Sequence, residues 1–145
     1  MHISVRKDPG ALMRHIIHVR DHLVPTDMDV PAGGEGSGPD PHDLYDSSLG
    51  ACKALTVIWY ARRKGLPLQD LEVTVSRDAS QERQGIYRLS TTLRLSGDLT
   101  DAQRQELLNV ASKCPVHKLM TSVTTEISTE FIMKVANGTR SMTPE

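Results

Sequence analysis

The sequence predicts an α+β domain built on antiparallel sheet, and three observations carry that prediction. Period-two strands occur as neighbours in sequence, from His2 to Lys7 and Met13 to Arg20, then again from Leu71 to Ser76 and Ile86 to Leu95. Between the two pairs lies one long segment of helical periodicity, Asp43 to Lys64. The order β, β, helix, β, β, helix, helix, β contains no alternating βαβ units, so hairpins rather than parallel crossovers should form the sheet.

The first pair alternates as in Arg14-His15-Ile16-Ile17-His18-Val19-Arg20, with a turn at Asp8-Pro9-Gly10. A third extended piece, His22 to Val24, is expected to break at Pro25. From Val30 to Pro41 four glycines and three prolines fall within twelve residues, which reads as a loop with strong backbone demands. Pro41 suits the first turn of the long helix and Gly65-Leu66-Pro67 its stop. Leu44, Ser48, Cys52, Leu55 or Thr56, and Trp59 fall on one stripe. Leu49, Ala51, Ala54, Val57 and Ile58 spread the apolar surface wider, so the helix should be covered on most sides, and a homodimer is expected. The second strand pair turns around Gly85. Thr100 or Asp101 can cap a helix that reaches Cys114, where Pro115 disfavours helical geometry in the preceding residue. A short helix, Pro115 to Thr121, and a last strand, Val123 to Lys134, complete a single domain over residues 1–136. Residues 137–145 read as a polar, poorly ordered tail.

With 17 Lys and Arg against 18 Asp and Glu in 145 residues, the net charge of -1 gives no electrostatic reason for a nucleic-acid or anionic-membrane partner. One Trp, one Phe and three Tyr make base stacking an equally poor expectation. No stretch approaches the ~18 apolar residues of a membrane-spanning helix, and the first ten residues lack the apolar core of a secretion signal. A cytoplasmic protein is therefore expected. Two cysteines 62 positions apart do not make a disulfide scaffold, and in a reducing compartment any bond between them would be transient.

Those thiols, Cys52 and Cys114, are the strongest chemical candidates. Cys52 lies in Gly50-Ala51-Cys52-Lys53-Ala54, where small neighbours leave room for a substrate; taken alone, a mid-helix cysteine serves equally as a small core hydrophobe. Cys114, in Ser112-Lys113-Cys114-Pro115-Val116-His117, opens a helix, where the dipole, Lys113 and His117 are expected to favour thiolate. The histidines and cysteines match no compact metal-ligand spacing, so neither metal nor cofactor is expected. The glycine run Gly33 to Gly38 lacks the preceding strand and following Lys-Ser or Lys-Thr of a phosphate cradle.

Taken together, Gly33-Gly34-Glu35-Gly36-Ser37-Gly38-Pro39-Asp40-Pro41-His42-Asp43-Leu44, Leu49-Gly50-Ala51-Cys52-Lys53-Ala54-Leu55-Thr56 and Cys114-Pro115-Val116-His117 resemble the OsmC/Ohr family of osmotically inducible and organic-hydroperoxide-resistance proteins, within its broad OsmC-like group. The resemblance implies an intertwined homodimer in which antiparallel sheet packs on a long central cysteine-bearing helix. It also implies a thiol peroxidase: the residue matching Cys52 attacks an organic hydroperoxide and becomes a sulfenic acid, that matching Cys114 resolves it as a disulfide, and an external dithiol resets the pair. In the family pattern an Arg held by a Glu activates the first cysteine, the Glu standing ten positions before it. Here that position is His42, with Asp43 the nearest carboxylate. Arg14 and Arg20 are the candidate guanidinium groups, and Glu35 in the loop is a further supporting candidate. The alternative is a member without peroxidase activity, a redox sensor or small-ligand-binding protein lacking the Arg and Glu support.

Overall fold

A computed structural model describes residues 1–135 and 138–144 of the chain. It has the α+β class expected, with three antiparallel sheets and three helices. The N-terminal sheet runs β1 (Ile3–Lys7), β2 (His15–Val19) and β3 (His22–Thr26) in sequential order, with Val5 opposite Ile17 and Ile17 opposite Val24. β3 does not break at Pro25. Pro25 pairs with Ile16 and the strand continues to Thr26, because an edge strand tolerates a residue with no N–H to give.

The glycine-rich loop is organised from inside by Asp27. Its buried carboxylate accepts the Met28, Glu35 and Ser37 amides and the Ser37 hydroxyl. These donors, the hydroxyl foremost, hold its pKa down at about 2. The loop's donors thus enclose an anion belonging to the chain. A Cβ on Gly34 would lie 2.0 Å from the Met28 carbonyl oxygen, so only glycine fits there.

Helix α1 (Pro41–Lys64) starts in a reciprocal capping box between Asp40 and Asp43, with Pro41 in its first turn. It ends at Gly65 in left-handed conformation after Arg62, Arg63 and Lys64, whose charges complement the dipole. It packs on the hairpin of β4 (Leu68–Asp78) and β5 (Arg88–Gly97) and meets α2 (Asp101–Ala111) and α3 (Pro115–Ser122). Gly50 sets the helix-to-strand spacing, since a Cβ there would stand 3.0 Å from the Val75 methyl. Val57, Ala61, Leu99, Leu107 and Ala111 form the core, flanked by Leu71, Leu93 and Leu95 from alternate hairpin positions.

The buried side of α1 differs from the expected stripe. Asp46, Leu49, Gly50, Lys53, Val57 and Ala61 face inward, while Leu55 is 70% and Trp59 59% exposed. Two charged residues sit on the inner face because each finds polar partners there.

The last predicted strand is also corrected. Val123 to Glu130 is irregular; β6 covers only Phe131–Val135 and pairs with β7 (Gly138–Met142), where the sequence reading has a polar tail. The apolar run Phe131-Ile132-Met133 marks β6 in the sequence, whereas the polar composition of β7 carries no strand signal. Asn137, from which that tail was read, lies outside the described residues.

Candidate functional site

The site forms where the α2–α3 corner meets the inner face of α1. Helix α2 is capped by Thr100, in a reciprocal box with Gln103, and ends at Ala111. Pro115 then keeps Cys114 out of helical geometry, at φ −63° and ψ 145°, and starts α3 as its first-turn residue. Cys114 is fully buried and Cys52 half-buried. The break at Cys114 therefore stands where Pro115 predicts it.

Both thiols lie at the start of α3, which follows directly on Cys114. The Cys52 Sγ accepts the Val116 amide at 3.5 Å, one of the free N–H groups at the start of α3. Burial pushes the Cys114 thiol above its usual pKa, the His117 amide and the Lys53 charge pull the other way, and the Cys52 thiol adds to the rise. Cys114 is thus a proton-holding thiol, contrary to the thiolate expected of a cysteine at a helix start. Loss of water outweighs the dipole. Lys113, expected to help, is exposed; the cation that reaches the thiols is Lys53.

Lys53 is the residue that sequence reasoning missed. It is only 4% exposed, and its Nζ donates to the Ala111 carbonyl at 2.9 Å and meets His117 Nδ1 at 3.2 Å. An ammonium has only donors, so His117 Nδ1 is the acceptor and the ring proton sits on Nε2. The signal available was positional: Lys53 falls midway along the stripe Leu49, Gly50, Val57 and Ala61, all small or apolar.

The other sequence candidates make their contacts elsewhere. Arg14 pairs with Asp8 across the β1–β2 connection at 2.5 Å, which lowers the Asp8 pKa. Arg20 occupies the β2–β3 turn at φ 52°. Glu35 accepts the Leu12 amide. His42 bonds Glu82 at 2.8 Å, and that carboxylate raises its pKa. Asp43 is drawn into the cap of α1 and to Arg77, which lowers its pKa. Arg77 also binds Asp46, whose other oxygen accepts the Tyr87 hydroxyl; burial and that bond push Tyr87 up to about 12.

A cavity of about 330 Å³ opens between α1, β5 and α3, with the Lys53 partner His117 in its wall. Tyr45, Leu49, Tyr87, Leu89, His117, Met120 and Thr121 line it, a mixed wall in which aliphatic and aromatic surface stands beside an imidazole and a hydroxyl.

Fold and site together define a small α+β dithiol protein. The chain belongs to the OsmC-like protein family, whose model matches residues 34–130. Solved structures resemble it over most of their length. A protein from Psychrobacter arcticus 273-4, provisionally named as osmotic stress induced and detoxification response, is 25% identical at TM-score 0.65, covering 84% of this chain and 89% of that one. The organic hydroperoxide resistance protein OhrB of Bacillus subtilis is 22% identical at TM-score 0.56, covering 83% and 90%. The organic hydroperoxide resistance protein OsmC of Legionella pneumophila is 19% identical at TM-score 0.60, covering 84% and 90%. Comparison with curated proteins gave no match. No described helix is long and apolar enough to cross a membrane.

Proposed function

We propose that the protein is a thiol-dependent peroxidase that reduces organic hydroperoxides, with Cys52 the attacking and Cys114 the resolving thiol. The observation that carries this reading is that two thiols 62 apart in sequence converge on one corner: the amide of Val116, two residues after Cys114, reaches the Cys52 sulfur, and Cys52 is the more accessible thiol. Cys52 thiolate attacks the terminal peroxide oxygen. An S–O bond forms, the O–O bond breaks, and the alkoxide leaves, giving Cys52 sulfenic acid. The Cys114 sulfur then attacks the Cys52 sulfur, and its proton departs with the hydroxide as water. A small-molecule or protein dithiol reduces the resulting disulfide. The aliphatic and aromatic surface of the cavity favours an alkyl or aryl peroxide over hydrogen peroxide.

The same reading takes residues 1–136 as one functional domain in a homodimer. It is supported by the family and by apolar side chains left uncovered in one chain, including Ile3, Val5 and Leu23 on the N-terminal sheet and Leu55 and Trp59 on α1. A cytoplasmic location fits the transient disulfide.

Intact-protein mass spectrometry after substoichiometric cumene hydroperoxide tests the chemistry. The expected product has lost two hydrogens, and Cys114→Ala should instead gain one oxygen. An unchanged mass, with Cys52 reduced and open to alkylation, would sink the proposal. One observation favours a second reading, a redox sensor or ligand-binding protein: Arg14 and His42 are engaged away from the thiols. That reading expects disulfide formation without sustained turnover.

A further inference from the structure

Three charged side chains are buried among the described residues, and they are answered differently. Asp46 meets Arg77 in an ion pair, and Asp27 is enclosed by four donors of its own loop. Lys53 has two neutral acceptors for three N–H groups, and among the described residues it forms no ion pair. A buried ammonium without an anion is costly, so its position calls for a negative group nearby. Its partners Ala111 and His117 flank Cys114 in the chain, and the Val116 amide next to His117 reaches Cys52, so the groups at this corner that can become negative are the two thiols. Cys52 Sγ accepts the Val116 amide at the start of α3 and is the more accessible thiol, whereas Cys114 is fully buried. Negative charge on the pair therefore falls on Cys52.

We propose that Lys53 is the counter-ion of the thiol pair and, through His117, the proton source for the departing alkoxide. This rests on the peroxidase reading for its second half only. His117 is placed for the relay: Nδ1 faces Lys53, and the same ring lines the cavity where the peroxide would sit. As the O–O bond breaks, Nε2 gives its proton to the alkoxide while Nδ1 takes one from Lys53. The products are an alcohol, a neutral imidazole and a neutral amine. Cys114 then expels the sulfenic oxygen as water with its own proton, so Lys53 stays neutral in the disulfide form. When the dithiol reductant returns two hydrogens, one remains on Cys114 and the other passes from Cys52 to His117 Nε2 while Nδ1 gives its proton back to Lys53. Charge is thus restored only with the reduced pair. The relay gives the nucleophile a cation from its own helix, one residue later.

The test measures two rates on the full chain, alkylation of Cys52 by iodoacetamide, read by peptide mass, and reduction of peroxides. Lys53→Met should slow alkylation at pH 7 about tenfold, and Lys53→Arg should hold it within about threefold of the parent. His117→Asn keeps an acceptor for Lys53 but breaks the relay. It should leave alkylation within about twofold and slow cumene hydroperoxide reduction about 100-fold. The same variant should reduce peroxybenzoic acid nearly as fast as the parent, since benzoate leaves without needing a proton. Alkylation unchanged in Lys53→Met overturns the counter-ion, and an equal loss with both peroxides overturns the relay. If Lys53→Met does not fold, Lys53→Gln, which keeps a donor for Ala111 without the charge, decides the first point. Should the parent reduce neither peroxide while Lys53→Met still slows alkylation, the peroxidase reading fails and the counter-ion stands.

Discussion

Asp46 and Lys53 lie two turns apart on the same buried face of α1, yet one is saturated and the other is not. The Asp46 carboxylate is divided between Arg77 on β4 and Tyr87 just before β5, so it ties the helix to the hairpin and has nothing left to offer. Lys53 ties the helix to the α2–α3 corner through neutral acceptors and keeps its charge unspent. A matched buried charge organises a fold; an unmatched one marks a place where an anion must appear.

The largest expected effect on activity comes from removing what that unmatched charge serves. Cys52→Ser should reduce hydroperoxide turnover to background in a coupled dithiol assay while leaving the melting temperature almost unchanged; residual turnover above a few per cent would move the nucleophile elsewhere. The largest expected effect on stability belongs to the other end of the face. Asp46→Asn removes the buried half of the Arg77 pairing, leaving only the more exposed Asp43, and should lower Tm by about 5 °C or more in a thermal melt. It should not alter Cys52 alkylation. Lys53→Met should do the reverse, slowing alkylation with the smaller change in Tm, because an apolar chain of similar length replaces a buried charge that makes no ion pair with a carboxylate. If both variants lose stability alike, the contrast between the two positions collapses.

Between them, Gly50→Ala should cost about 1–2 kcal/mol in a denaturant titration, since its methyl presses on Val75 unless α1 moves. The Asp27 loop supplies an acid limit. Its folded pKa of about 2 lies below the ordinary 3.8, so the stabilisation is fully present above that ordinary value and fades as pH falls through about 2. Asp27→Asn should therefore flatten the acid-unfolding curve below pH 4. The smallest effect is expected at His42. Its raised pKa adds stability below pH 6.5 that disappears as pH rises through the folded value, and the pair with Glu82 is half exposed. His42→Ala should barely move Tm and leave peroxide reduction intact, in contrast to a role as the activating group.

Much of this architecture could be read from residue order. Pro115 after Cys114 marks the corner, the Asp40-Pro41 start and Gly65 stop bound α1, and strict alternation exposes β4 and β5. What stayed hidden was the inner face of α1. A polarity count turns Asp46 and Lys53 outward, because it prices a buried charge without knowing that Arg77, Tyr87, the Ala111 carbonyl and His117 will be waiting. The glycine run posed a similar problem. Its loop character was visible, but not that a carboxylate just upstream would gather its amides. Both thiols were found by residue type and setting; their convergence on one corner, and the water excluded from Cys114, are properties of tertiary packing.

The convergence of the thiols has a mechanical side as well. A bond between Cys52 and Cys114 would close a ring of 62 residues that takes in most of α1, the whole β4–β5 hairpin and α2. By loop-closure entropy such a ring penalises the unfolded chain by about 4 kcal/mol. Each turn of the redox cycle would then alternate between a pinned and an unpinned form of the same fold. Resistance to heat or protease would rise and fall with the oxidation state, so the molecule would record in its own durability whether it had recently met an oxidant.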